Sequence, residues 1–488
     1  MILLYLVIFH FVLLVMAMTL KTLRFKSRQE AVDPVTDFVV DADAVARRLS
    51  SAVQCKTIGH ADPQRLDLES FAEFHRFVQK AFPNVHEALQ CEPVNEFSRL
   101  YTWSGSDPTL APVILMAHID VVPIAEGTEA DWTHPPFSGD IADGFIWGRG
   151  SLDDKGSLMG TLEAVEALLA TGHRPRRTVY LAFGHDEETR GSFGAARIAE
   201  ILKSRGVRAE FILDEAGAIT TGMIPGITAP VAMIGIAEKG YLTLELEVSL
   251  AGGHAAMPPK QTAIGILAQA LVTLEKKPFP ARFEGATKKM FDTVGPEMPF
   301  GMRFLFANNW LLRPLIQKAL EGGDATRASL RTTTAVTVFR GGKIENVLPD
   351  KARAMINFRL LPGDTSDSAV DRVRRTIDDP RVSVAIGGNM KSEPSRVSDP
   401  DSPGYRAVER SVRQVFPDAL VTPFLVQATT DTPHYSEISD TILRFFPARL
   451  AAADLPRIHG TDERIAVDNM VEVVRFYAQV IRNADEMG

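Results

Sequence analysis

Cysteine is scarce in this chain. Its 488 residues include two cysteines, Cys55 and Cys91, which could form at most one disulfide bond. A disulfide framework and a cysteine-rich zinc site are therefore excluded. The cellular compartment stays open, because so few cysteines are compatible with either redox environment.

The body of the chain also lacks a lysine- or arginine-rich block, an internal repeat and a low-complexity tract. The net charge is −8, so no nucleic acid is expected among the partners. The apolar fraction of 45% and the charged fraction of 23% are ordinary for a globular protein. A chain of 488 residues is too long for one compact core, and we expect two or more domains.

The N-terminal segment contains no charged side chain over residues 2–20, ILLYLVIFHFVLLVMAMTL. A helix of that length is just long enough to cross a bilayer core of roughly 30 Å. Four basic residues follow at once: Lys21, Arg24, Lys26 and Arg28. We interpret residues 1–28 as a single-pass membrane anchor, followed by a linker over residues 29–42. A cleaved signal peptide, which would make the protein secreted, is the alternative.

The orientation of such an anchor stays open. Its basic flank follows the apolar run, so the positive-inside rule would place the body in the cytoplasm. That rule is weak for a lone N-terminal segment before a large domain.

The rest of the chain shows two styles of secondary structure. Over residues 43–239, apolar strands such as PVILMAH alternate with helices, which is typical of a mainly parallel α/β sheet. From residue 240 the strands alternate apolar and polar residues, as half-buried antiparallel strands do. We interpret residues 240–390 as a smaller α+β domain inserted into the first domain, which resumes over residues 391–488.

Ionisable residues collect at the ends of the predicted strands. The stretch LMAHIDVVP carries a buried strand straight into His118 and Asp120, where an unpaired ionisable pair is costly. Because ligands bind outside the carboxyl ends of the strands in open α/β sheets, we expect such groups to converge. Similar positions carry Asp153 and Asp154, Glu187 and Glu188, Asp214 and Glu215, and, near the C-terminus, His459.

A pair of divalent metal ions would give this constellation a common cause. Zinc takes imidazole and carboxylate ligands, and its catalytic sites keep a position open for water. Without cations, the carboxylates would repel one another and raise their own pKa values. In this interpretation His118 is a ligand and Asp120 orients its imidazole. Each motif alone is more simply a helix cap or a solvated acidic face, and the specific signal is their combination.

Eight motifs make the chain similar to a known family. They are MAHIDVVP, WGRGSLDDKGS, DEETRGSFGA, LDEAG, GGHAAMPP, GGKIENVLPDKARAMINFRLLPGD, TDTPHY and IHGTDERI. Over residues 43–485 the chain resembles the dinuclear-zinc aminoacylase/carboxypeptidase family, in its carboxypeptidase S and N-fatty-acyl-amino-acid synthase/hydrolase branch. The resemblance implies an α/β fold, in which a zinc-exopeptidase-like, three-layer catalytic domain with a mainly parallel sheet is interrupted by a smaller α+β lid or dimerisation domain.

The resemblance also implies the metal site. It implies two Zn²⁺ per chain, for which Co²⁺ or Mn²⁺ could substitute, and five ligands: His118 and Asp214 on one ion, Glu188 and His459 on the other, and Asp153 bridging both. Glu187 would be the general base, and Asp120 would support His118. In LDEAG the family's ligand is the first acid, so we choose Asp214 over Glu215.

Three residues of the inserted domain match substrate-binding or catalytic positions of the family. His254 in GGHAAMPP would donate to the developing oxyanion, and in family dimers this histidine comes from the partner subunit. Arg359 in NFRLLPGD would hold the substrate's free carboxylate, although a strand-end arginine paired with a neighbouring acid looks the same in sequence. Asn346 in ENVLP matches a position that hydrogen-bonds near the substrate.

Two features need separate interpretation. The last motif of the family usually has Asn where this chain has Asp462, which puts the local hydrogen bonding in question. The inserted domain carries an unusually apolar stretch, MPFGMRFLFANNWLLRPLI, over residues 298–316. We favour a longer lid helix pair with its own core. A wall for a long acyl chain or for the membrane surface is the alternative.

These observations predict an enzyme: zinc-dependent hydrolysis of the amide bond of an N-acyl amino acid or a short peptide with a free C-terminal carboxylate. Long-chain N-fatty-acyl amino acids and the reverse condensation belong to the same prediction. The expected partners are the substrate, the membrane and a second copy of the chain. The alternatives are a membrane-tethered binding module without activity, which loss of Glu187 or a ligand would favour, and a mononuclear exopeptidase.

Overall fold

The structure, a computed structural model, describes residues 1–487. Helices pack on two principal β-sheets, one large and mixed and one small and antiparallel. The α-helices are α1 (Ile2–Arg24), α2 (Ala42–Gln54), α3 (Leu68–Ala81), α4 (Pro83–Ala88), α5 (Lys155–Ala170), α6 (Ala195–Ser204), α7 (Ala263–Lys276), α8 (Gly285–Val294), α9 (Phe300–Ala307), α10 (Asn309–Leu320), α11 (Asp324–Leu330), α12 (Ser366–Ile377), α13 (Pro403–Val415) and α14 (Val467–Glu486). The β-strands are β1 (Gln90–Val94), β2 (Ser98–Trp103), β3 (Val113–His118), β4 (Ile141–Ala142), β5 (Phe145–Trp147), β6 (Val179–Gly184), β7 (Phe211–Asp214), β8 (Ile219–Thr221), β9 (Val231–Glu238), β10 (Gly240–Ser249), β11 (Gly253–His254), β12 (Thr333–Arg340), β13 (Val347–Leu348), β14 (Lys351–Leu360), β15 (Val382–Ser392), β16 (Leu420–Val426), β17 (Ile442–Arg444), β18 (Arg449–Ala451) and β19 (Arg464–Ala466).

The large sheet contains ten strands and is parallel at its centre. Nine strands follow the order β1-β2-β6-β3-β7-β17-β9-β8-β18, and β16 pairs with β9. The pairs β6–β3, β3–β7 and β7–β17 are parallel. Antiparallel pairs lie outside this centre, between β1 and β2, β2 and β6, and β8 and β9. The predicted mainly parallel α/β sheet is confirmed.

The central strand β3 is buried on both faces, which explains its continuous run of apolar residues. Val113 and Leu115 join a hydrophobic core that contains side chains of α2, α5 and α14. Ile114 and Met116 point to the opposite face and join a second core with side chains of α6. Helices therefore cover both faces of the sheet, and β3 ends with His118 at its carboxyl edge.

The small sheet has four antiparallel strands in the order β12-β14-β10-β15. Strands β10 and β14 pair over ten residues, from Gly240 opposite Leu360 to Ser249 opposite Lys351. Buried and more exposed residues alternate along β14, as expected where one face of a sheet is covered. Helices α7 and α12 cover that face with a core of its own. The limits of the segments, 1–28, 29–42, 43–239, 240–390 and 391–488, stay predictions.

Helices α8 to α11 do not join the core of the small sheet. Phe291, Phe306 and Ile316 instead share a hydrophobic cluster with Val231 of the large sheet, and α8 packs along β16. The apolar stretch 298–316 is helical, as expected. Its core is shared with the edge of the large sheet because β9 and β16 present apolar side chains there.

Helix α1 is long and apolar enough to cross a membrane, with a mean hydropathy of 2.6 over 18 residues. Its residues 2–17 are exposed, whereas Met18 and Thr22 are buried at the contact with α9 and α10. The body of the protein therefore contacts only the last turns of α1.

Candidate metal centre and substrate site

The carboxylate of Asp153 lies between two histidines. Its Oδ1 is 3.0 Å from Nε2 of His118, and its Oδ2 is 2.9 Å from Nε2 of His459. One carboxylate thus presents each of its oxygens to a different imidazole. A bridging ligand between two metal ions has this arrangement of donors.

His118 is fixed by the chain that follows it. Its Nδ1 is 2.9 Å from the backbone carbonyl oxygen of Asp120 and 3.4 Å from Oδ1 of that residue. The carbonyl accepts a hydrogen bond from Nδ1–H, which fixes the ring so that Nε2 faces Asp153. Asp120 therefore orients His118, and it does so through its carbonyl more closely than through its carboxylate.

The carboxylate of Asp120 has a second contact. Its two oxygens accept hydrogen bonds from the backbone N–H groups of Glu187 and Glu188, each at 3.1 Å. These N–H groups begin the single helical turn that follows β6. One buried acid thereby ties the turn of Glu187 and Glu188 to the end of β3.

Glu188 joins the metal-ligand group. Its Oε1 is 3.2 Å from Nε2 of His459. Ligand atoms of Glu188, His118 and Asp153 lie within 4.8 Å of one another, close enough to hold one ion. Four of the five predicted ligands, His118, Asp153, Glu188 and His459, are thus brought together.

The fifth ligand, predicted as Asp214, has a competitor beside it. Oε1 of Glu215 is 3.5 Å from Nε2 of His118, and Glu215 forms a second candidate ligand group with His118 and Asp154. Asp214 is also buried, and its Oδ2 has no hydrogen-bond partner among the described residues. The choice of Asp214 over Glu215 stays a prediction. Neither Glu215 nor Asp154 was assigned a role from sequence. The motifs LDDKG and LDEAG each contain two adjacent acids, and this pairing was the sequence feature that offered them as candidates.

Glu187 points to a cleft beside this group. The cleft has a volume of about 660 Å³, and its wall includes Glu187, Asp431 and, from the end of β15, Ser392. Burial raises the pKa of Glu187 well above its usual range, and the nearby Glu215 and Asp431 carboxylates add to the shift. A carboxylate at the edge of a cleft with a raised pKa is suited to accept and return a proton.

A buried acid that the sequence analysis missed holds the turn before Asp153. Oε1 of Glu463 accepts hydrogen bonds from the N–H groups of Gly150, Leu152 and Asp153 at 2.9, 2.9 and 3.1 Å. Its other oxygen forms an ion pair with Arg149, and both side chains are buried. Glu463 lies four residues after His459, so the same loop carries this predicted ligand and fixes the backbone of Asp153, the predicted bridging acid. The only sequence signal for this role was the position of Glu463 within the motif IHGTDERI.

Asp462, which stands where the family usually has Asn, finds hydrogen-bond donors nearby. Both of its oxygens accept from Thr133, from the backbone N–H at 2.7 Å and from the hydroxyl at 2.8 Å. Because both partners are donors, a carboxylate serves here without an unpaired polar group. The substitution of Asp for the usual Asn therefore leaves the hydrogen bonding of this loop intact.

The site is strongly charged. Burial opposes ionisation of Asp153, but hydrogen bonds from His118 and His459 outweigh it and hold the pKa of Asp153 below its usual range. The same contact with Asp153, together with Glu188, raises the pKa of His459 to about 10. Burial and the charge of Asp153 raise the pKa of Glu215 to about 7. Burial likewise raises the pKa of Asp214 to about 6.

These residues fit zinc. Imidazole nitrogens and carboxylate oxygens are zinc donors, and cations would compensate the crowded carboxylates. The unpaired Oδ2 of Asp214 is the kind of buried acceptor that a metal ion satisfies. Residues that could hold the metal are His118, Asp153, Glu188, His459 and one or both of Asp214 and Glu215.

Arg359 presents an unpaired guanidinium group. It stands opposite Tyr241 in the small sheet, with its guanidinium carbon 4.7 Å from the centre of the tyrosine ring. Its Nη1 is buried without a hydrogen-bond partner, and no carboxylate of the described residues lies within 4.0 Å of it. Burial lowers its pKa from the usual arginine value. A strand-end arginine is ordinarily explained by an ion pair with a neighbouring acid. Within residues 1–487, Arg359 has no such ion pair.

His254 and Asn346 lie together, away from the metal-ligand group. His254 pairs with Val347 in the two-stranded β11–β13 ribbon, and Asn346 accepts from the N–H of Ala255 at 3.0 Å. Both His254 and Asn346 are exposed. Within the described part of the chain, no hydrogen bond or ion pair joins this ribbon to His118 or Asp153.

The chain matches the model of peptidase family M20/M25/M40 over residues 114–483. The chain belongs to this family. It is 41% identical over 483 residues to the probable carboxypeptidase S-like 2 of Dictyostelium discoideum, which covers 97% of this chain and 92% of that protein. It is 40% identical over 437 residues to the N-fatty-acyl-amino acid synthase/hydrolase PM20D1.1 of Danio rerio, which covers 89% and 84% of the two chains.

Solved structures agree in fold. The M20 family metallo-carboxypeptidase Sso-CP2 from Sulfolobus solfataricus superposes with a TM-score of 0.66, covers 91% of this chain and 99% of its own, and is 18% identical. At that identity the likeness concerns the fold alone. The predicted family, branch, α/β fold class and hydrolase function are confirmed. The roles of the individual site residues stay predictions.

We predict that zinc binding by this M20/M25/M40 family peptidase releases protons at neutral pH. The pKa of His459 is raised to about 10 in the metal-free site, so this predicted ligand holds a proton that must leave before it ligates. Glu215, with a pKa of about 7, is partly protonated at neutral pH and adds to the release if it is the ligand in place of Asp214. Zinc affinity should therefore fall as the pH falls. Calorimetric titration in two buffers of different ionisation enthalpy measures the number of protons released, and a release of none would contradict the ligand assignment.

The same titration distinguishes the two neighbouring acids. Asp214→Asn and Glu215→Gln each remove one carboxylate charge with little change of shape. The variant that removes a ligand should lower zinc affinity and release fewer protons. Equal, unaltered binding by both variants would exclude each of them as a ligand.

We also predict that Glu463→Ala destabilises the protein and reduces its zinc content. The change leaves Arg149 buried without its carboxylate and frees three backbone N–H groups. Breaking a buried ion pair costs about 3–5 kcal/mol. Thermal unfolding and elemental analysis measure the two effects. Glu200→Ala, which removes the exposed Arg197–Glu200 pair, is the control and should change neither.

Proposed function

We propose that this chain is a dinuclear zinc amidohydrolase that cleaves the amide bond of N-acyl amino acids or short peptides with a free C-terminal carboxylate. The observation that carries the proposal is the carboxylate of Asp153, whose two oxygens face the Nε2 atoms of His118 and His459. An acid shared by two histidines, with further acids around it, supports a site for two ions.

The ligand assignment follows from these contacts. One ion is assigned to His118, Asp153 and Asp214, with Glu215 as the alternative to Asp214. The second ion is assigned to Asp153, Glu188 and His459. Zinc bound there would polarise the scissile carbonyl and lower the pKa of a water molecule.

Glu187 is assigned as the general base. In its ionised form, its carboxylate accepts a proton from the attacking water and then delivers that proton to the nitrogen of the leaving amine. Two features support the assignment: Glu187 lines the cleft beside Glu188, and Asp120 accepts from its backbone N–H. The raised pKa of Glu187 favours holding the proton between the two transfers.

Arg359 is assigned to the free carboxylate of the substrate. Its buried, unpaired Nη1 would gain a charge-assisted hydrogen bond when a carboxylate binds. Holding the substrate's carboxylate by Arg359 and its carbonyl at the metal site fixes the orientation of the scissile bond. The unpaired guanidinium supports a substrate with a free carboxylate over one without.

His254 is assigned to the carbonyl oxygen on which negative charge develops, with Asn346 beside it. Their exposure on the β11–β13 ribbon supports a homodimer in which this ribbon enters the site of the partner. An exposed histidine with no bond to its own metal-ligand group has the freedom that such a contact requires.

The acyl group is proposed from the relatives. The Danio rerio relative is named for N-fatty-acyl-amino acids and for both synthesis and hydrolysis. We extend that substrate class, and the reverse condensation, to this chain. We further propose that α1 is retained as a single-pass membrane anchor, with secretion after cleavage as the alternative outcome. An anchored enzyme meets long-chain acyl substrates where they partition.

The roles of Glu187 and Glu188 should separate on mutation. Glu187→Gln should keep bound zinc and lose about 10²–10⁴-fold in turnover, because proton transfer is removed and the ligands are not. Glu188→Gln should lower zinc content instead. Elemental analysis and turnover of N-acyl amino acids measure both. The opposite behaviour of the two variants would reverse the assignment.

The carboxylate contact is tested with Arg359→Ala. Losing a charge-assisted contact should lower kcat/KM for N-acyl amino acids on the order of 10²-fold while zinc content is unchanged. Wild-type protein should discriminate against substrates whose carboxylate has been converted to an amide, and the variant should lose most of that discrimination.

The matched control is Arg353→Ala, on the same strand. Arg353 is about half exposed and already paired with Glu247, so its loss should leave the discrimination unchanged. Equal hydrolysis of acid and amide by the wild type would refute the carboxylate contact and indicate an aminopeptidase or a general amidase.

A further inference from the structure

Helix α10 is apolar on the face that it exposes. Trp310, Leu311, Pro314 and Leu315 are spaced i, i+1, i+4 and i+5, so they form one stripe on the helix. Trp310 is 58% exposed and Leu315 is 55% exposed, while Ile316 on the opposite face is buried in the protein core. A helix that is apolar on both faces requires a partner on each of them.

Helix α9, which packs against α10, exposes a further large apolar side chain. Phe300, in its first turn, is 57% exposed. We call Phe300, Trp310, Leu311, Pro314 and Leu315 the apolar stripe. Large apolar side chains scattered singly on a surface are normal, but a contiguous group of them marks a contact with another apolar phase.

The membrane-anchor candidate α1 ends on these two helices. The side-chain amide of Asn308, between α9 and α10, donates to the carbonyl oxygen of Met18 at 3.2 Å and to the hydroxyl of Thr22 at 3.1 Å. Arg303 donates to the carbonyl oxygen of Phe25 at 2.7 Å. These polar contacts join the last turns of α1 directly to the pair α9–α10.

The depth of the apolar stripe in a bilayer follows from the length of α1. Residues 2–20 span about 28 Å as an α-helix, close to the roughly 30 Å of a bilayer core. When they cross the bilayer, Lys21 lies at the headgroup boundary. The Nζ of Lys21 is 5.7 Å from the centre of the Trp310 ring, so the tryptophan lies at the same level.

The residue types around Trp310 are those found at the headgroup boundary of a membrane. Tryptophan is enriched where apolar and aqueous phases meet, because its ring is apolar and its N–H is polar. Exposed basic residues lie in the last turns of both helices, Lys318 in α10 and Lys21 and Arg24 in α1. Basic residues next to an apolar helix face are typical of helices that lie in the interface of a membrane with anionic lipids.

We propose that the apolar stripe of α9 and α10 docks into the headgroup–acyl boundary of the membrane that α1 crosses. This inference rests on the proposed retention of α1 as an anchor. The docked pair holds the body at a fixed orientation to the bilayer. A second copy of the chain and the acyl chain of a substrate are the other occupants that the experiment distinguishes.

The test uses the full chain reconstituted in vesicles of phosphatidylcholine and phosphatidylserine, with bromine on the acyl chains close to the headgroups. Bromine quenches tryptophan fluorescence on contact. Of the four tryptophans, Trp103, Trp132 and Trp147 are buried in the body, so quenching reports Trp310. Wild-type fluorescence should be quenched, and the quenched component should be lost in Trp310→Phe. Equal quenching of the two proteins, or none in either, would overturn the proposal.

A second variant tests the stripe without removing its tryptophan. Leu311→Glu with Leu315→Glu should still float with the vesicles through α1, but its quenching should fall. Leu68→Glu, at a site that is 52% exposed on α3, is the matched control and should leave quenching unchanged.

The two parts of the inference fail differently. A wild-type protein that does not float with vesicles would refute the anchor. Flotation without quenching of Trp310 would refute the docking and leave the anchor and the amidohydrolase standing. A change of oligomeric state in the double variant, or a raised KM confined to long-chain substrates, with quenching unaltered, would assign the stripe to a second copy or to an acyl chain.

Discussion

The contact on which the site depends is the position of Asp153 between His118 and His459, with one carboxylate oxygen near each imidazole. These residues come from the end of β3, the turn before α5 and the loop before β19. Folding therefore brings together groups that are far apart in sequence and gathers further carboxylates around them. Such a concentration of buried charge is unfavourable unless cations compensate it. The fold thus produces an arrangement that bound cations would stabilise.

The buried acids divide into two kinds by what their oxygens contact. Glu463 accepts three backbone N–H groups through one oxygen, and Asp120 accepts two through its carboxylate. Their acceptor capacity is used in holding the turns that carry Asp153 and Glu188, so they position two predicted ligands and have little capacity left for a metal ion. Asp214 retains a buried oxygen without a partner. The same distinction applies to the arginines: Arg149 is paired with Glu463, whereas Nη1 of Arg359 is buried without a partner among the described residues.

The sequence was sufficient for the sheet and for most of the metal group. The unbroken apolar run of β3 and the acids at strand ends follow simple rules, because parallel strands are buried on both faces and their carboxyl ends meet at one edge. The role of Glu463 depended on a distant contact with backbone N–H groups, which no local pattern encodes. The doubled acids left open which side chain turns toward His118, and Glu215 at 3.5 Å was not foreseen. The packing of residues 298–316 on β9 and β16 likewise depended on tertiary contacts.

The junction between the two sheets is anchored on both sides. The chain passes from β9 to β10 through Glu238 and Lys239, which are both buried. Glu238 forms a buried ion pair with Arg444 of β17 at 2.9 Å, which fixes the large-sheet side. Lys239 donates to the carbonyl oxygens of Ala328 and Arg331, each at 2.9 Å, which ties the junction to α11. Tyr241, two residues further, stands opposite Arg359. The position of Arg359 relative to the predicted metal ligands therefore depends on this short crossing of the chain, which is anchored on both sides. Helices α9 and α10, which contact α1, belong to the segment that ends at α11.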